Sequence, residues 1–379
     1  MVNSNANAIG IIFPNSYDNL VPELAGDRLM ASIPFAGRYR IIDFLLSSLA
    51  NCGISNIAIV VRENYHSLMD HLGSGRAWDL LRKNGGLSIF PPYAEKNMKV
   101  YSGRVEALES ILPYLKSKKE KYVIMMDANI AVDFDFNAML AEHIESGADV
   151  TVAYTEQEIP AELIRAGSHG DMYYTLKLDD GRVRRIFMNS EMCGKQNLSM
   201  NIYIMDREAL IDKIHAAFVR GSSCFERDIL APRLEKYNIR GYKYDGYYAR
   251  ICGLKSYFDE NMKLLDDENL DALFTGGQIY TKIRDDNPTR YINGCKTKNN
   301  LVADGCVIEG DVENCVLFRG VKIAKGAKIR NSVLMQDTVV KAGGRLDYVV
   351  TDKNVKITAG KKLSGTESFP VYVQKNHTV

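Results

Sequence analysis

The chain lacks several features that mark other classes of protein. Among its 379 residues, Lys and Arg (48) nearly balance Asp and Glu (47), so no global charge points to nucleic acid. No stretch of about 18 apolar residues occurs, and the N-terminus has no secretory signal pattern. The seven cysteines form no Cys-x-x-Cys pair and predict free thiols with no metal site. We therefore expect a cytoplasmic protein that binds neither nucleic acid nor membrane.

The turn after the first apolar run lacks glycine. Residues 9–13 form a run that ends at Pro14 and is typical of the first strand of a nucleotide-binding sheet. Such strands lead into glycine-rich turns, because only glycine lets backbone N–H groups close around phosphate oxygens without a Cβ in the way. Here the turn consists of Asn15, Ser16, Tyr17, Asp18 and Asn19. It predicts a degenerate phosphate loop with an aspartate where an anion would lie.

The first two thirds of the chain alternate apolar runs of strand length with helical patterns. The runs predict strands at 57–61, 122–126, 150–154 and 200–205. The helical patterns lie at 40–52, 67–72, 104–115, 137–146, 207–220 and 246–278. This alternation predicts an α/β domain of Rossmann-like type with a mostly parallel sheet.

The last quarter of the chain has a different period. Val321, Ala327, Val333 and Val339 recur at a six-residue step, and Ile323, Ile329 and Met335 form a second row two positions later. A period of six indicates a β-helix of hexapeptide repeats, although a β-sandwich with regular spacing is an alternative. Gly320, Gly326 and Ser332 precede the first row, where tight corners are expected. We place an α/β domain at 1–279, a linker at 280–290 and the β-helix at 291–379.

Several motifs of the chain resemble one family of enzymes. They are PFAGRYRIIDFLLSSLANCGISNIAIV (34–60), HSLMDHLGSGRAWDL (66–80), YSGRVEALES (101–110) and LSMNIYIM (198–205). In sequence and in order they resemble the glucose-1-phosphate adenylyltransferases, also called ADP-glucose pyrophosphorylases. The resemblance implies a nucleotidyltransferase domain followed by a left-handed β-helix that carries subunit contacts. It also implies a reaction in which glucose 1-phosphate attacks the α-phosphorus of ATP with the help of Mg²⁺ and releases pyrophosphate.

The charged groups that this resemblance assigns to catalysis are mostly substituted. The family's triphosphate-binding arginine falls on Leu20, the lysine of its KPAVPFGG element on Met30, and its sugar-phosphate lysine on Ser190. Of its two metal-holding aspartates, one is retained as Asp127 and the other falls on Arg250. Asp127 could equally cap a turn. Because each lost charge-stabilising donor costs roughly 10²–10³ in rate, we expect an inactive or nearly inactive chain that holds no metal or cofactor.

This pattern of losses resembles the non-catalytic GlgD-type subunit of Gram-positive bacteria. The resemblance implies a regulatory or structural subunit of glycogen synthesis that forms a hetero-tetramer with a catalytic GlgC-type paralogue, which holds the Mg²⁺, and a homo-oligomer when alone. One alternative is a weak or altered nucleotidyltransferase that uses other cations, such as Arg28 or Lys195. A hexapeptide acyltransferase is disfavoured, because such enzymes need a histidine on the β-helix and the first one here is His377 in the tail.

Three arginines lie close together in sequence before the helix predicted at 40–52. Arg28 and Arg40 match family positions associated with anionic effectors, and Arg38 lies between them. The neighbouring family lysine is Asp27 here. These arginines predict an effector or anion site, with salt bridges or a subunit seam as the alternative. His66 and His71 are five residues apart, the wrong spacing for two ligands on one helical face, so we interpret both as structural.

Overall fold

The computed structural model describes residues 7–82, 85–92, 101, 103–167 and 172–379. The strands of the N-terminal domain are β1 (Ala8–Phe13), β2 (Pro34–Phe35), β3 (Tyr39–Arg40), β4 (Asn56–Val60), β5 (Gly86–Phe90), β6 (Tyr122–Asp127), β7 (Ile130–Ala131), β8 (Val150–Glu158), β9 (Tyr174–Asp179), β10 (Arg182–Met188), β11 (Lys195–Asp206), β12 (Ile239–Lys243) and β13 (Ala249–Arg250). Its α-helices are α1 (Pro22–Ala25), α2 (Ile41–Asn51), α3 (His66–Leu72), α4 (Arg104–Ser110), α5 (Leu112–Lys116), α6 (Phe136–Glu145), α7 (Ala161–Gly167), α8 (Arg207–Val219), α9 (Leu254–Lys263) and α10 (Asp267–Phe274).

A mixed sheet forms the centre of this domain. Within the described ranges its strand order is β5-β4-β1-β6-β11-β8-β12-β10-β9. The β5-β4-β1-β6 half is parallel, and β8 runs parallel to β12. Strand β11 is antiparallel to both β6 and β8, and β9 and β10 form an antiparallel hairpin. The predicted α/β class is confirmed, but the sheet is less parallel than predicted, because a short turn at Asp180 and Gly181 joins β9 to β10 and forces them to run in opposite directions.

Helix α2 behaves as its pattern predicts. Its apolar residues Ile42, Leu45, Leu46 and Leu49 are buried against the sheet. The helix begins at Ile41, because the Asp43 carboxylate accepts the backbone N–H of Arg40 at 3.0 Å and satisfies one of the donors that a helix start leaves free. Gly53 follows the helix with a φ of 76°, the left-handed conformation that favours glycine at a C-terminus.

Two helix predictions need correction. The helix predicted at 104–115 is divided into α4 and α5, because Pro113 has no N–H to bond the carbonyl four residues earlier. The segment predicted as helical at 246–278 begins with strand β13, which pairs with β7 through Ala249 and Ala131. This pairing between distant segments overrides the local helical preference, and only α9 and α10 are helical there.

The C-terminal strands wind into parallel coils. They are β14 (Arg290–Tyr291), β15 (Lys296–Val302), β16 (Val307–Ile308), β17 (Asp311–Leu317), β18 (Lys322–Ile323), β19 (Lys328–Leu334), β20 (Val339–Val340), β21 (Arg345–Asp347), β22 (Val349–Thr351), β23 (Lys356–Ile357), β24 (Lys362–Ser364) and β25 (Val371–Val373). Strands β14-β16-β18-β20-β23 form one stack, and β15-β17-β19-β21-β24 form a second. The predicted left-handed β-helix of hexapeptide repeats is confirmed as the fold class.

The six-residue step does not continue through a whole coil. Lys322 pairs with Val339 and Ile323 with Val340, so the coil advances by 17 residues where three steps of six would need 18. Val340 is therefore buried, whereas Val339, which the pattern placed in the inward row, is half-buried. The step is lost at the corner that contains Asp337, since Thr338 and Val340 are the buried residues after Met335.

The two domains share one hydrophobic cluster. Phe35, Tyr257 and Phe258 of the N-terminal domain lie in it with Phe318 and Met335 of the β-helix, and all five are buried. The Tyr257 hydroxyl also donates to the carbonyl of Pro34 at 2.8 Å. Between Phe274 and Arg290 the chain forms neither helix nor strand; the linker predicted at 280–290 falls in this stretch except for its last residue, Arg290, which begins β14. Burial of this shared surface fixes the β-helix against the α/β domain.

Candidate functional site

A cavity of about 280 Å³ opens at the carboxyl ends of β1 and β6. Its walls include the turn after β1, Asp127 at the end of β6, and the segments around Arg104, Tyr174 and Glu226. Open α/β sheets bind ligands outside the carboxyl ends of their strands, so this is the expected place for a site. The predicted degenerate loop and the retained aspartate therefore meet at one cavity.

The turn at 15–19 is held closed by its own side chains. The Asn15 amide donates to the Asp18 carboxylate at 2.7 Å and accepts the backbone N–H of Arg62 at 2.8 Å. Tyr17 is buried, and its hydroxyl donates to the carbonyl of Met172 at 3.0 Å. Among residues 15–19 none has a positive φ. The turn therefore lacks the left-handed glycine geometry with which phosphate loops wrap an anion.

Asp18 ties the turn to the next segment and does not line the cavity. Its carboxylate accepts the backbone N–H of Met30 at 2.6 Å, and Asn15, Ser16, Tyr17 and Asn19 are the turn residues that face the cavity. Burial raises the pKa of Asp18 to about 6. We expected the Asp18 carboxylate to repel an anion in the cavity, but it instead accepts a backbone hydrogen bond that holds the turn in place.

Asp127 is engaged by an arginine. The Nη2 atom of Arg104 lies 2.8 Å from each carboxylate oxygen of Asp127, and the Ser16 hydroxyl donates to Oδ1 at 2.7 Å. The other terminal nitrogen of Arg104 donates to the carboxylate of Glu226. Burial works to lower the pKa of Arg104, but the carboxylates of Asp127 and Glu226 outweigh it and hold that pKa well above its ordinary value. The guanidinium is therefore fully charged and bridges two buried carboxylates.

The residues present do not fit a divalent cation. Asp127 is the retained aspartate, and Arg104 already covers both of its oxygens. Arg250, at the position of the second family aspartate, is buried, lies over the Tyr248 ring at 5.6 Å and donates to the carbonyl of Ser199 at 2.7 Å. In the described ranges no group of three or more His, Cys, Asp or Glu side chains could hold a metal ion.

The other substituted positions lie away from the cavity wall. Leu20 and Met30 are buried in the cluster that the two domains share, so they act as core residues. The carbonyl of Ser190 accepts the Tyr173 hydroxyl at 2.7 Å. Leu20, Met30, Ser190 and Arg250 are not brought into contact with the cavity that Asp127 lines. The predicted catalytic positions thus do not form a constellation of charged groups.

The three predicted effector arginines have separate partners. Arg28 is buried, and its Nη2 contacts both carboxylate oxygens of Asp352 of the β-helix, at 2.7 and 2.6 Å. Arg38 is exposed and lies 3.7 Å from Asp304. Arg40 donates to the carbonyl and hydroxyl of Ser67 at 2.8 and 3.0 Å. The salt bridges that we gave as the alternative are therefore present for Arg28 and Arg38, and an effector role for the three stays a prediction.

Sequence reasoning missed three charged groups. Arg104 stands in the quoted motif YSGRVEALES, but the motif does not show that Asp127 is within its reach. Glu226 lies 122 residues beyond Arg104 and carries no local pattern. Burial, Arg40 and Arg28 together lower the pKa of Lys353 to about 7, which places this lysine near the predicted effector arginines.

His71 has the structural contacts that we predicted, whereas His66 is exposed at the start of α3 and its role stays a prediction. His71 is buried, and its Nε2 lies 2.6 Å from the Asp43 carboxylate. Its ring also meets Trp78 edge to face, with centroids 5.8 Å apart. Burial lowers the pKa of His71.

None of the helices in the described ranges is long and apolar enough to cross a membrane.

Comparisons with known proteins agree with this architecture. Residues 24–265 match the family described as Nucleotidyl transferase, and residues 285–367 match that described as GlmU-like, C-terminal hexapeptide. The chain is 32% identical to the Glycogen biosynthesis protein GlgD of Bacillus subtilis (strain 168), over 98% of this chain and 96% of that protein. It is 34% identical to the Glucose-1-phosphate adenylyltransferases of Bacillus mycoides (strain KBAB4) and Bacillus cereus (strain ATCC 10987 / NRS 248), over 87% of both chains in each case.

These matches cover both domains, and the first of them extends over nearly the whole chain. They agree with the motifs at 34–60 and 198–205 and with a cavity at the ends of β1 and β6. The chain therefore belongs to the glucose-1-phosphate adenylyltransferase family and includes a protein of the GlgD type among its relatives.

Proposed function

We propose that this chain is a regulatory or structural subunit of glucose-1-phosphate adenylyltransferase in glycogen biosynthesis. It assembles with a catalytic paralogue that makes ADP-glucose and pyrophosphate from ATP and glucose 1-phosphate, and it raises the activity of that partner. By itself the chain is inactive or nearly so. The observation that carries this proposal is the Arg104 guanidinium on Asp127, which fills the retained metal position with a protein cation.

The substitutions at the family's phosphate-binding positions support an inactive site. Phosphoryl transfer depends on cations placed around the phosphates and on a metal that bridges them. Leu20 and Met30 supply apolar surface where the family has cations, and both belong to the core. At roughly 10²–10³ in rate for each missing donor, two such losses alone lower the rate by about 10⁴–10⁶.

The joint between the domains supports a role in assembly. The Arg28–Asp352 ion pair is buried. The Tyr372 hydroxyl lies within hydrogen-bond distance of the Asp352 carboxylate, at 2.9 Å, and of the Glu23 carbonyl oxygen, at 2.7 Å. With the shared apolar cluster, these contacts hold the β-helix in one position relative to the α/β domain. A body of fixed shape can favour one conformation of a bound partner and so shift its equilibrium towards the active state.

The partner is proposed to be the catalytic GlgC-type subunit, in a hetero-tetramer, and the chain alone is proposed to form a homo-oligomer. We place the assembly in the cytoplasm, where its free thiols persist. The Mg²⁺ of the reaction belongs to the catalytic subunit. The effector role of Arg28, Arg38 and Arg40 remains part of this proposal. Of the three, Arg28 is already paired with Asp352.

The test is ADP-glucose formation from ATP and glucose 1-phosphate with Mg²⁺. This chain, a catalytic subunit and their mixture are assayed separately, and light scattering reports the mass of the complex. We expect no turnover by this chain alone and a higher kcat or lower KM for ATP in the mixture. Unchanged kinetics at saturating amounts of this chain would refute the regulatory role. Turnover by the chain alone would favour the alternative of a weak or altered nucleotidyltransferase.

A further inference from the structure

The Arg104 guanidinium lies between two buried carboxylates. Its terminal nitrogens reach Asp127 and Glu226, and the side chains of these two acids are 1% and 4% exposed. Two buried carboxylates this close together repel each other unless a cation lies between them. Arg104 supplies that cation from within the chain.

Aromatic rings also hold this guanidinium in position. Its central carbon lies 5.1 Å from the ring centroid of Phe13 and 5.4 Å from that of Tyr203. Phe13 ends β1 and Tyr203 lies on β11, so both rings project from the central sheet. A cation over aromatic faces is attracted by their negative charge density. The position of Arg104 is therefore fixed by carboxylates and by rings.

The backbone brings the two charged segments together. Arg104 is the first residue of α4, and Glu226 begins a π-helical turn, Glu226–Leu230. The N–H of Val105 donates to the carbonyl of Ser223 at 3.1 Å. At Gly103 an added Cβ would lie 2.3 Å from the same carbonyl oxygen, so the close approach requires glycine.

We propose that Arg104 takes the place of a divalent cation in this chain, and that removing its guanidinium uncovers a site for Mn²⁺ formed by Asp127 and Glu226. Carboxylate oxygens are the ligands that Mn²⁺ and Mg²⁺ prefer, and water from the cavity completes their coordination. The inference rests on the proposed function, in which the site of this chain holds no metal. It is tested by metal binding, so it can fail while the regulatory role stands.

The experiment compares Mn²⁺ binding by the full chain and by the Arg104→Ala variant, using electron paramagnetic resonance of free Mn²⁺ and thermal unfolding. We expect Arg104→Ala to bind one additional Mn²⁺, roughly tenfold or more tighter than any site in the parent, because repulsion by a buried cation is exchanged for attraction by two carboxylates. Mn²⁺ should raise the melting temperature of the variant and leave that of the parent unchanged.

Two further variants separate charge from packing. Arg104→Lys keeps a positive charge and should exclude Mn²⁺ as the parent does. Arg104→Ala combined with Asp127→Asn and Glu226→Gln removes the ligands and should lose the added site. If Arg104→Ala folds poorly, refolding with and without Mn²⁺ decides the question, because recovery only with the metal supports the proposal. Equal Mn²⁺ binding by Arg104→Ala and the triple variant, or no metal-dependent recovery, would overturn it.

Discussion

Two buried arginine–aspartate pairs in this protein have different settings. Arg28 and Asp352 join the α/β domain to the β-helix across 324 residues of sequence. Arg104 and Asp127 join two segments of a single domain beside a cavity. Both pairs remove a full ion pair from water, which is costly unless the hydrogen bonds are complete. The first pair therefore serves the arrangement of the domains, and the second fixes the charge of the site.

A motif by itself does not reveal which carboxylate an arginine contacts. Arg28 matches a family position linked with anionic effectors, and it is engaged by the β-helix. Arg104 matches no family position of this kind, and its guanidinium forms an ion pair with Asp127, the retained aspartate of the candidate site. The role of each arginine follows from the acid that the fold brings within about 3 Å.

The largest effect is expected from breaking the pair between the domains. Arg28→Ala leaves Asp352 buried without its guanidinium and should cost about 3–5 kcal/mol of unfolding free energy. Urea denaturation followed by circular dichroism measures this loss. The matched control, Arg28→Met with Asp352→Asn, removes both charges and should recover much of it. A variant Arg28→Ala as stable as the parent would show that the pair does not hold the domains together.

A smaller loss is expected at the scaffold of the second pair. Gly103→Ala places a Cβ 2.3 Å from the backbone oxygen of Ser223, so the start of α4 must shift, at a cost of about 2–3 kcal/mol. Gly26→Ala is the control, because Gly26 is helical and its added Cβ would meet the Pro22 carbonyl oxygen at 3.5 Å, an ordinary contact. Urea midpoints compare the two variants. Equal midpoints would show that the segments of Arg104 and Glu226 are not tightly joined.

The turn beside the second pair should respond to pH. Because burial raises the pKa of Asp18 to about 6, the folded state holds this proton more tightly than the unfolded state. The resulting stability is present at low pH and is lost as pH rises from about 4 to about 6. Asp18→Asn should remove this dependence, and its stability at pH 7 should stay within about 1 kcal/mol of the parent, because the relief of a buried charge is offset by the loss of an acceptor for the Asn15 amide. Urea midpoints from pH 4 to pH 7 test it, and parallel curves for parent and variant would contradict it.

The smallest effect is expected at an exposed pair. The side chains of Arg38 and Asp304 are 45% and 47% exposed, and their charged atoms are 3.7 Å apart. Arg38→Ala should therefore change the unfolding free energy by at most about 0.5 kcal/mol. The same urea titration compares it with Arg28→Ala. A loss as large as that of Arg28→Ala would mean that exposure does not distinguish these pairs.

Much of the fold could be predicted from periodicity. The pattern of Leu45 and Leu49 predicts helix α2, and the apolar run at 122–126 predicts β6. The direction of β11 could not be predicted, because an apolar strand buried on both faces has the same composition whether its neighbours are parallel or antiparallel. The one-residue shift from Val339 to Val340 in the inward row could not be predicted either. The sequence pattern shows the six-residue step along the strands but not the number of residues in each corner.

The sequence alone shows which catalytic groups the candidate site lacks. The absence of glycine at 15–19 and the apolar side chains at Leu20 and Met30 exclude a family phosphate loop in any fold, because leucine and methionine cannot carry a positive charge and only glycine leaves the backbone N–H groups free of a Cβ. The groups that occupy the site in place of a phosphate loop and metal became visible only in the folded protein. The contact of Arg104 with Asp127 and Glu226 joins three segments through a helix start, a strand end and a π-helical turn. Such a contact depends on distances in space that no local pattern encodes.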